Sequence, residues 1–287
     1  MAVSAPVYYN SFKKSVFDSG PTDFQADTIK IALLASTYTP DKDSHEFWDD
    51  VSAHEVAGAG YVANGATLAG KSASQDNTYN RGVLDGNDPS WAASTITARY
   101  AVKMHWTGVA ATSRLVCYWD FGENKITTNE TFSIPWHNNG IALHGSGSDY
   151  YNSFLTSIFD AGPIDFQADT IRVALLANTY TFDADNHDFW DDVVAHEVAG
   201  AGYAAGGATL AGKSATQDNV NDRGLFDADD VTWAASTISA RYAQIHKWTG
   251  VAATSPLIRC IDLGEDKATA ATDFKLNWDA NGILALN

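Results

Sequence analysis

Two His-Glu pairs, His54-Glu55 and His196-Glu197, sit in nearly the same surroundings, "HEFWDDVSAHEVAGAGY" (residues 45–61) and "HDFWDDVVAHEVAGAGY" (residues 187–203). Imidazole beside carboxylate is the raw material of a zinc hydrolase. A zincin, however, needs H-E-x-x-H on one helix, so that two imidazoles one turn apart face the same metal. Here Val56, Ala57 and Gly58 follow Glu55, with no second His at the required spacing. The glycines of "VAGAG" also oppose a helix, each costing about 1 kcal/mol relative to Ala. The spacing therefore reads as a strand end and a Gly-rich turn, with His and Glu partly exposed.

Clustered carboxylates raise calcium next. Asp41, Asp43, Asp49, Asp50, Asp85 and Asp88 recur as Asp183, Asp185, Asp191, Asp192, Asp227 and Asp230, and all are hard oxygen ligands. The EF-hand order with its closing Glu is absent, and Asp-rich turns are ordinary on an acidic chain. Neither G-x-S-x-G nor a P-loop occurs, and the Gly-rich "AGGATLAG" lacks the strand–helix context that cradles phosphate. Cys117 aligns with Arg259 and Cys260 with Tyr118, which excludes a shared thiol nucleophile and leaves both cysteines as filler on or near one strand. Trp48, Trp91, Trp106 and Trp136 recur as Trp190, Trp233, Trp248 and Trp278, for which core packing is expected before sugar stacking. Arg81 and Arg99, matched by Arg223 and Arg241, adjoin acidic turns and are expected in ion pairs. No catalytic, cofactor-binding or metal-ligating residue is assigned, and no cofactor is expected.

The elements that must position these residues come in duplicate. "YNSF", "FQADTI", "WAASTI" and "TGVAATS" each return 142 positions later, without insertion or deletion, and roughly two-thirds of aligned positions are identical. A period this long is a whole domain rather than a solenoid unit. The expected organisation is a first copy over residues 1–144, a Gly/Ser linker over 145–149 and a second copy over 150–287. Each copy reads as mainly β, giving two tandem homologous β-sandwich or barrel-like domains, each with one or two short helices. "DTIKIALLA" (27–35), "STITARYAVKMHW" (94–106) and "RLVCYWDFG" (114–122) read as strands. Shorter strands are expected in 61–70, 81–85, 131–136 and 140–144, separated by turns such as "DGND" and "HNNG". "YNSFKKSVFDSG" reads as a helix with Asn10 or Ser11 as N-cap, one face of Phe12, Val16 and Phe17, and a stop at Gly20–Pro21. "DSHEFWDDV" suggests two turns with Phe47, Trp48 and Val51 facing inward.

Composition narrows the classes. With 35 acidic against 18 basic residues the net charge is −17, which argues against nucleic acid and against an anionic membrane surface. No apolar run approaches the roughly 18–20 residues of a membrane span, and "MAVSAPVYYNSF" has no signal-peptide pattern. Two cysteines are not a disulfide scaffold, so synthesis in a cytoplasm is the simple expectation. The copies differ most at 102–105 and 114–137, positions expected to face solvent, or else to suit each copy to a different neighbour.

With those residues in view, the repeat unit resembles a family of small virion-associated proteins of tailed phages. The resemblance rests on "YNSFKKSVFDSGPTDFQADTIKIALLASTYTPDKDSHEFWDDV", "EVAGAGYVANGATLAGKSASQDN", "DPSWAASTITARYAV" and "TGVAATSRLVCYWDFG", and in the second copy on "DADDVTWAASTISARYA" and "TGVAATSPLIRCIDLGEDK". It covers nearly all of each copy. The family is normally single-copy and brings no catalytic residues. The resemblance implies a non-enzymatic structural protein located in the virion, first a capsid decoration or cement protein bound to the major capsid protein outside the head. The alternative is a tail or fibre component touching tail proteins or the host surface. A third reading, a glycan-degrading virion enzyme, needs two carboxylates roughly 5–9.5 Å apart, and matched residues such as Asp49 and Asp191 would be its test. A homo-oligomer is expected, dimer or trimer being open. The fusion would let one chain cover two quasi-equivalent sites.

Overall fold

A computed structural model describes residues 5–135, 149–160 and 162–287, and the backbone of 141–143. Trp136, the expected turn at 137–140, residue 144 and residues 145–148 of the expected 145–149 linker lie outside the described residues. The chain is mainly β and sandwich-like, as the alternation of apolar runs and polar turns implies.

In the first repeat the order is β1 (Val7–Tyr8), α1 (Asn10–Ser15), β2 (Ile29–Leu34), β3 (Ala66–Thr67), β4 (Ser72–Asp76), β5 (Arg81–Asp85), β6 (Ser90–Ser94), β7 (Thr97–His105), β8 (Leu115–Ile126), β9 (Glu130–Ser133) and β10 (Ile141–Leu143). The second repeat follows with α2 (Asn152–Ser157), β11 (Ile171–Leu176), β12 (Ala208–Thr209), β13 (Ser214–Asp218), β14 (Arg223–Asp227), β15 (Val231–Ser236), β16 (Ser239–Lys247), β17 (Leu257–Ala268), β18 (Thr272–Leu276) and β19 (Leu284–Leu286). A sheet of order β1-β8-β7-β2-β3 packs with the smaller sheets β10-β5-β4 and β6-β9, and β12-β11-β16-β17, β13-β14-β19 and β15-β18 repeat the plan. All pairings are antiparallel, with Ile29 opposite His105 and Ile171 opposite Lys247. Ile29, Ile31, Ala32, Leu33 and Leu34 are all fully buried, so β2 lies inside the protein on both faces.

Two local expectations are corrected. Helix α1 starts at Asn10 with Tyr9 in the cap position and no side-chain cap, so Asn10 and Ser11 lie inside its first turn, and the Asn10 amide donates to Asp43 instead. Phe12, Val16 and Phe17 are buried, as the apolar face requires. At the second short segment Trp48 and Val51 point inward, but Phe47 does not. An isolated bridge ties Phe47 to Arg114, whose guanidinium lies 4.9 Å from the centre of its ring.

The two repeats share one core. Helix α1 of the first repeat packs on β13 and β14 of the second, while α2 of the second packs on β4 and β5 of the first. The exchange is reciprocal down to single rings: Phe17 meets Phe166 at 5.2 Å and Phe159 meets Phe24 at 5.3 Å, both edge-on. Gly20 N–H donates to Asp165 (2.8 Å) and Gly162 N–H donates to Asp23 (2.9 Å). Six-residue helices are unstable alone. These two gain their stability by burying an apolar face on the other repeat.

Candidate functional site

The His-Glu motif is a loop staple. Glu55 accepts a hydrogen bond from Tyr61 Oη at 2.8 Å, and that hydroxyl accepts from Leu33 N–H at 3.0 Å. Glu197, Tyr203 and Leu175 repeat this at 2.8 and 2.9 Å. Burial raises the pKa of Glu55 and of Glu197, the tyrosine hydroxyls pulling the other way. His54 and His196 turn instead to Thr37 and Thr179, each 3.1 Å from Nδ1. The glycines have a spatial cause: a Cβ on Gly58 would lie 2.1 Å from the Thr95 carbonyl oxygen, where Ala59 and Thr95 form a bridge. The pattern that resembled a zinc site clamps a turn to β2 and to the β6–β7 connection.

The acidic residues are spent on turns in the same way. Asp41 Oδ1 accepts from the N–H groups of Asp43 and Ser44 at 3.0 Å, and Asp50 Oδ2 accepts from those of Glu46 (2.8 Å) and Phe47 (2.9 Å). Among the described residues no group of three His, Cys, Asp or Glu side chains could hold a metal ion. Arg81 and Arg223 pair with Asp76 and Asp218, and Arg99 and Arg241 with Asp120 and Asp262. Trp48, Trp91, Trp190 and Trp233 are core residues, whereas Trp106, Trp248 and Trp278 are partly exposed. Cys117 and Cys260 are buried thiols on β8 and β17, and burial pushes both up to about 12. Thiolate chemistry at neutral pH is thereby closed to them.

What the sequence reading did not contain is the seam, and its polar contacts are coded unequally. Buried Asn10 donates to Asp43 (2.7 Å) and reaches Asp222 at 3.3 Å across the seam; buried Asn152 donates to Asp185 (2.7 Å) and to Asn80 at 3.1 Å. Asn80 and Asp222 are equivalent positions, one neutral and one charged. The cations follow the charge: Lys42 pairs with Asp222 at 2.9 Å, and Lys13 donates to the Asp222 carbonyl. Their equivalents, Leu155 and Ala184, carry no charge opposite Asn80. A signal for the seam was present in "RGVLD" and "RGLFD". A glycine inside a strand marks close backbone approach, and a Cβ on Gly82 would lie 1.9 Å from the Leu155 carbonyl oxygen, one on Gly224 2.2 Å from that of Lys13.

Divergence between the repeats is not confined to solvent-facing positions, as had been expected. Lys103 is 2% exposed and His246 0% exposed, where the other repeat has Ile245 and Met104. Burial lowers Lys103 to about 8, opposed by Cys117 and Asp85. Across the ladder, Lys103 faces Cys117 and Ile245 faces Arg259, so the cation has changed strand between repeats. Arg259 gained a partner with the change: Nε and Nη2 both lie 2.9 Å from Asp149, which replaces Val7.

His246 stacks on Trp190 (4.6 Å, 10° between planes), and among the described residues neither ring nitrogen has a hydrogen-bond partner. Burial lowers its pKa to about 4, against a smaller upward pull from the Gln244 backbone that falls outside hydrogen-bond geometry; Arg172 adds to the lowering. An unsatisfied buried ring costs roughly 1–3 kcal/mol, so His246→Met, which copies Met104, is expected to stabilise the protein by about that amount in urea unfolding. The pH dependence has a definite sign. Above pH 6.5 the imidazole is neutral folded and unfolded; between 6.5 and about 4 only the unfolded chain takes up the proton. Stability is lost over that window, by up to about 3 kcal/mol. The advantage of His246→Met should widen as pH falls through it, and an advantage flat with pH would refute the assignment.

No protein-family model, curated protein or solved structure is similar to the chain at a significant level.

Proposed function

We propose that the protein is a structural component of a phage particle, a decoration protein that binds the major capsid protein on the outside of the head. The observation that carries this reading is the reciprocal seam. Each repeat supplies the helix that completes the other, so one chain is a closed pair presenting two related but non-identical faces. Such a pair suits a lattice that offers neighbouring quasi-equivalent sites, because attachment of one face raises the effective concentration of the other. The resemblance of each repeat to virion-associated proteins supports the same reading, as does an acidic exterior that resists nonspecific association. Copy number tests it. Quantitative mass spectrometry of purified virions is expected to find the chain in a fixed ratio to the major capsid protein, at numbers on the scale of the head lattice. A handful of copies per particle would move the chain to a vertex, tail or fibre and overturn the head assignment.

A further inference from the structure

The two repeats treat one face of their longest strand differently. In β8 this face carries Cys117, Trp119 and Phe121, the two aromatics being 3% and 7% exposed, with Phe121 tilted against Phe132 at 6.0 Å. In β17 the same positions are Arg259, Ile261 and Leu263, all partly exposed. Removing two large rings without collapse leaves space, and space is found there. A cavity of ≈ 430 Å³ lies between β17, β18 and β19, floored by Ile261, Leu263, Leu276 and Ile283 and walled by Trp278. It shares Leu263, Leu276 and Asn277 with a second cavity of ≈ 380 Å³ that runs along β18, so the two form one groove.

We propose that this groove is a binding site for an aromatic side chain, flanked by a carboxylate, on a segment of a partner protein. The first repeat identifies the aromatic: at the equivalent strand positions it carries Trp119 and Phe121, both buried, so a ring from outside supplies what the second repeat lacks. Rings buried in such pockets are the usual anchors of protein interfaces. Charge identifies the flank. Arg223 and Arg259 at one end are held by Asp218 and Asp149 and serve as rigid walls. The lining carboxylates Asp279 and Asp273 accept from the Asn281 (2.8 Å) and Ala235 (3.2 Å) N–H groups, and Lys275, beside Asp273 at the other end, has no ion-pair partner among the described residues. A carboxylate on the residue next to the aromatic one would give it one. The inference is independent of which assembly the chain serves.

The test uses the full chain with its Ile and Leu methyl groups labelled for NMR. Two probes are titrated, acetyl-Trp-Glu-amide and acetyl-Ala-Glu-amide. Saturable shifts at Ile261, Leu263 and Leu276 are expected with the tryptophan peptide, at roughly millimolar affinity for so small a ligand, and none with the alanine peptide. Ile261→Trp/Leu263→Phe, which rebuilds the first repeat's filling, should abolish them, and Lys275→Glu should weaken binding at least fivefold. Leu263→Phe alone serves if the double variant does not fold, and should weaken binding to a similar degree. Absence of saturable shifts, equal response to both peptides, or shifts undiminished in the filled variants would overturn the proposal.

Discussion

Residues 1–144 and 149–287, made as two separate chains in one cell, are expected to purify as a one-to-one pair that survives dilution to the micromolar range. The seam leaves little choice. Phe12, Phe17, Phe24, Phe154, Phe159, Phe166 and Phe226 are all nearly or fully buried in the shared core, and each half alone would expose part of that cluster together with an undocked helix. Fully burying one such side chain contributes about 1.5–3 kcal/mol, so the rings outweigh the entropy lost on association. The pair should also be mixed rather than like-with-like. Two second repeats would set Asp222 against Leu155 and Ala184 twice over, and two first repeats would leave Lys13 and Lys42 facing Asn80. Only the mixed pair gives Asp222 its lysines. The Lys42 bridge is partly exposed and weak by itself; with the attraction of the Asp222 carboxylate for buried Lys13 added, the preference should reach roughly tenfold. Native mass spectrometry of tagged halves reads the ratio directly. Like-with-like pairs in statistical proportion would show that the charge code does not act.

The second large effect is expected at the two seam glycines. Gly82→Ala or Gly224→Ala puts a methyl carbon 1.9 or 2.2 Å from a backbone oxygen of the opposing helix, which cannot yield as a flexible side chain would. Overpacking of this kind costs about 3 kcal/mol, because the helix must lift from the sheet and uncover the phenylalanines beneath. Gly122→Ala and Gly264→Ala are the controls. Their added carbon meets nothing within 4 Å, and only their φ values of +79° and +82° oppose Ala, a penalty of about 1–2 kcal/mol. Urea denaturation should separate the two pairs by their midpoints. Equal losses at seam and control glycines would mean that the helices are not packed against the strands.

Much of the fold was legible in the residues, for identifiable reasons. Ile29–Leu34 is an apolar β-branched run too short for a helix, and Arg81–Asp85 lies between turn signals. Strand β4, "SASQD", was missed because it carries no large apolar side chain; its place is fixed by backbone pairing to β5. The His-Glu motif lost its metal on spacing alone, but its staple role could not be read, since it depends on Leu33 N–H arriving 3.0 Å from Tyr61. The seam was half-written. An apolar helix face and a glycine inside a strand each called for a neighbour, yet local sequence does not state that the neighbour belongs to the other repeat. Interior divergence such as Lys103 against Ile245 was invisible for a related reason: burial on a central strand is set by tertiary packing, not by residue type.

Amide hydrogen exchange on the intact chain tests the reciprocal seam most directly. Helices α1 and α2 have six residues each, and undocked helices of that length exchange almost freely. If each is held against the other repeat, the amides of Lys13, Val16 and Leu155 should exchange as slowly as those of β2 and β11. Rapid exchange in either helix, with both central strands still protected, would contradict the reciprocal seam.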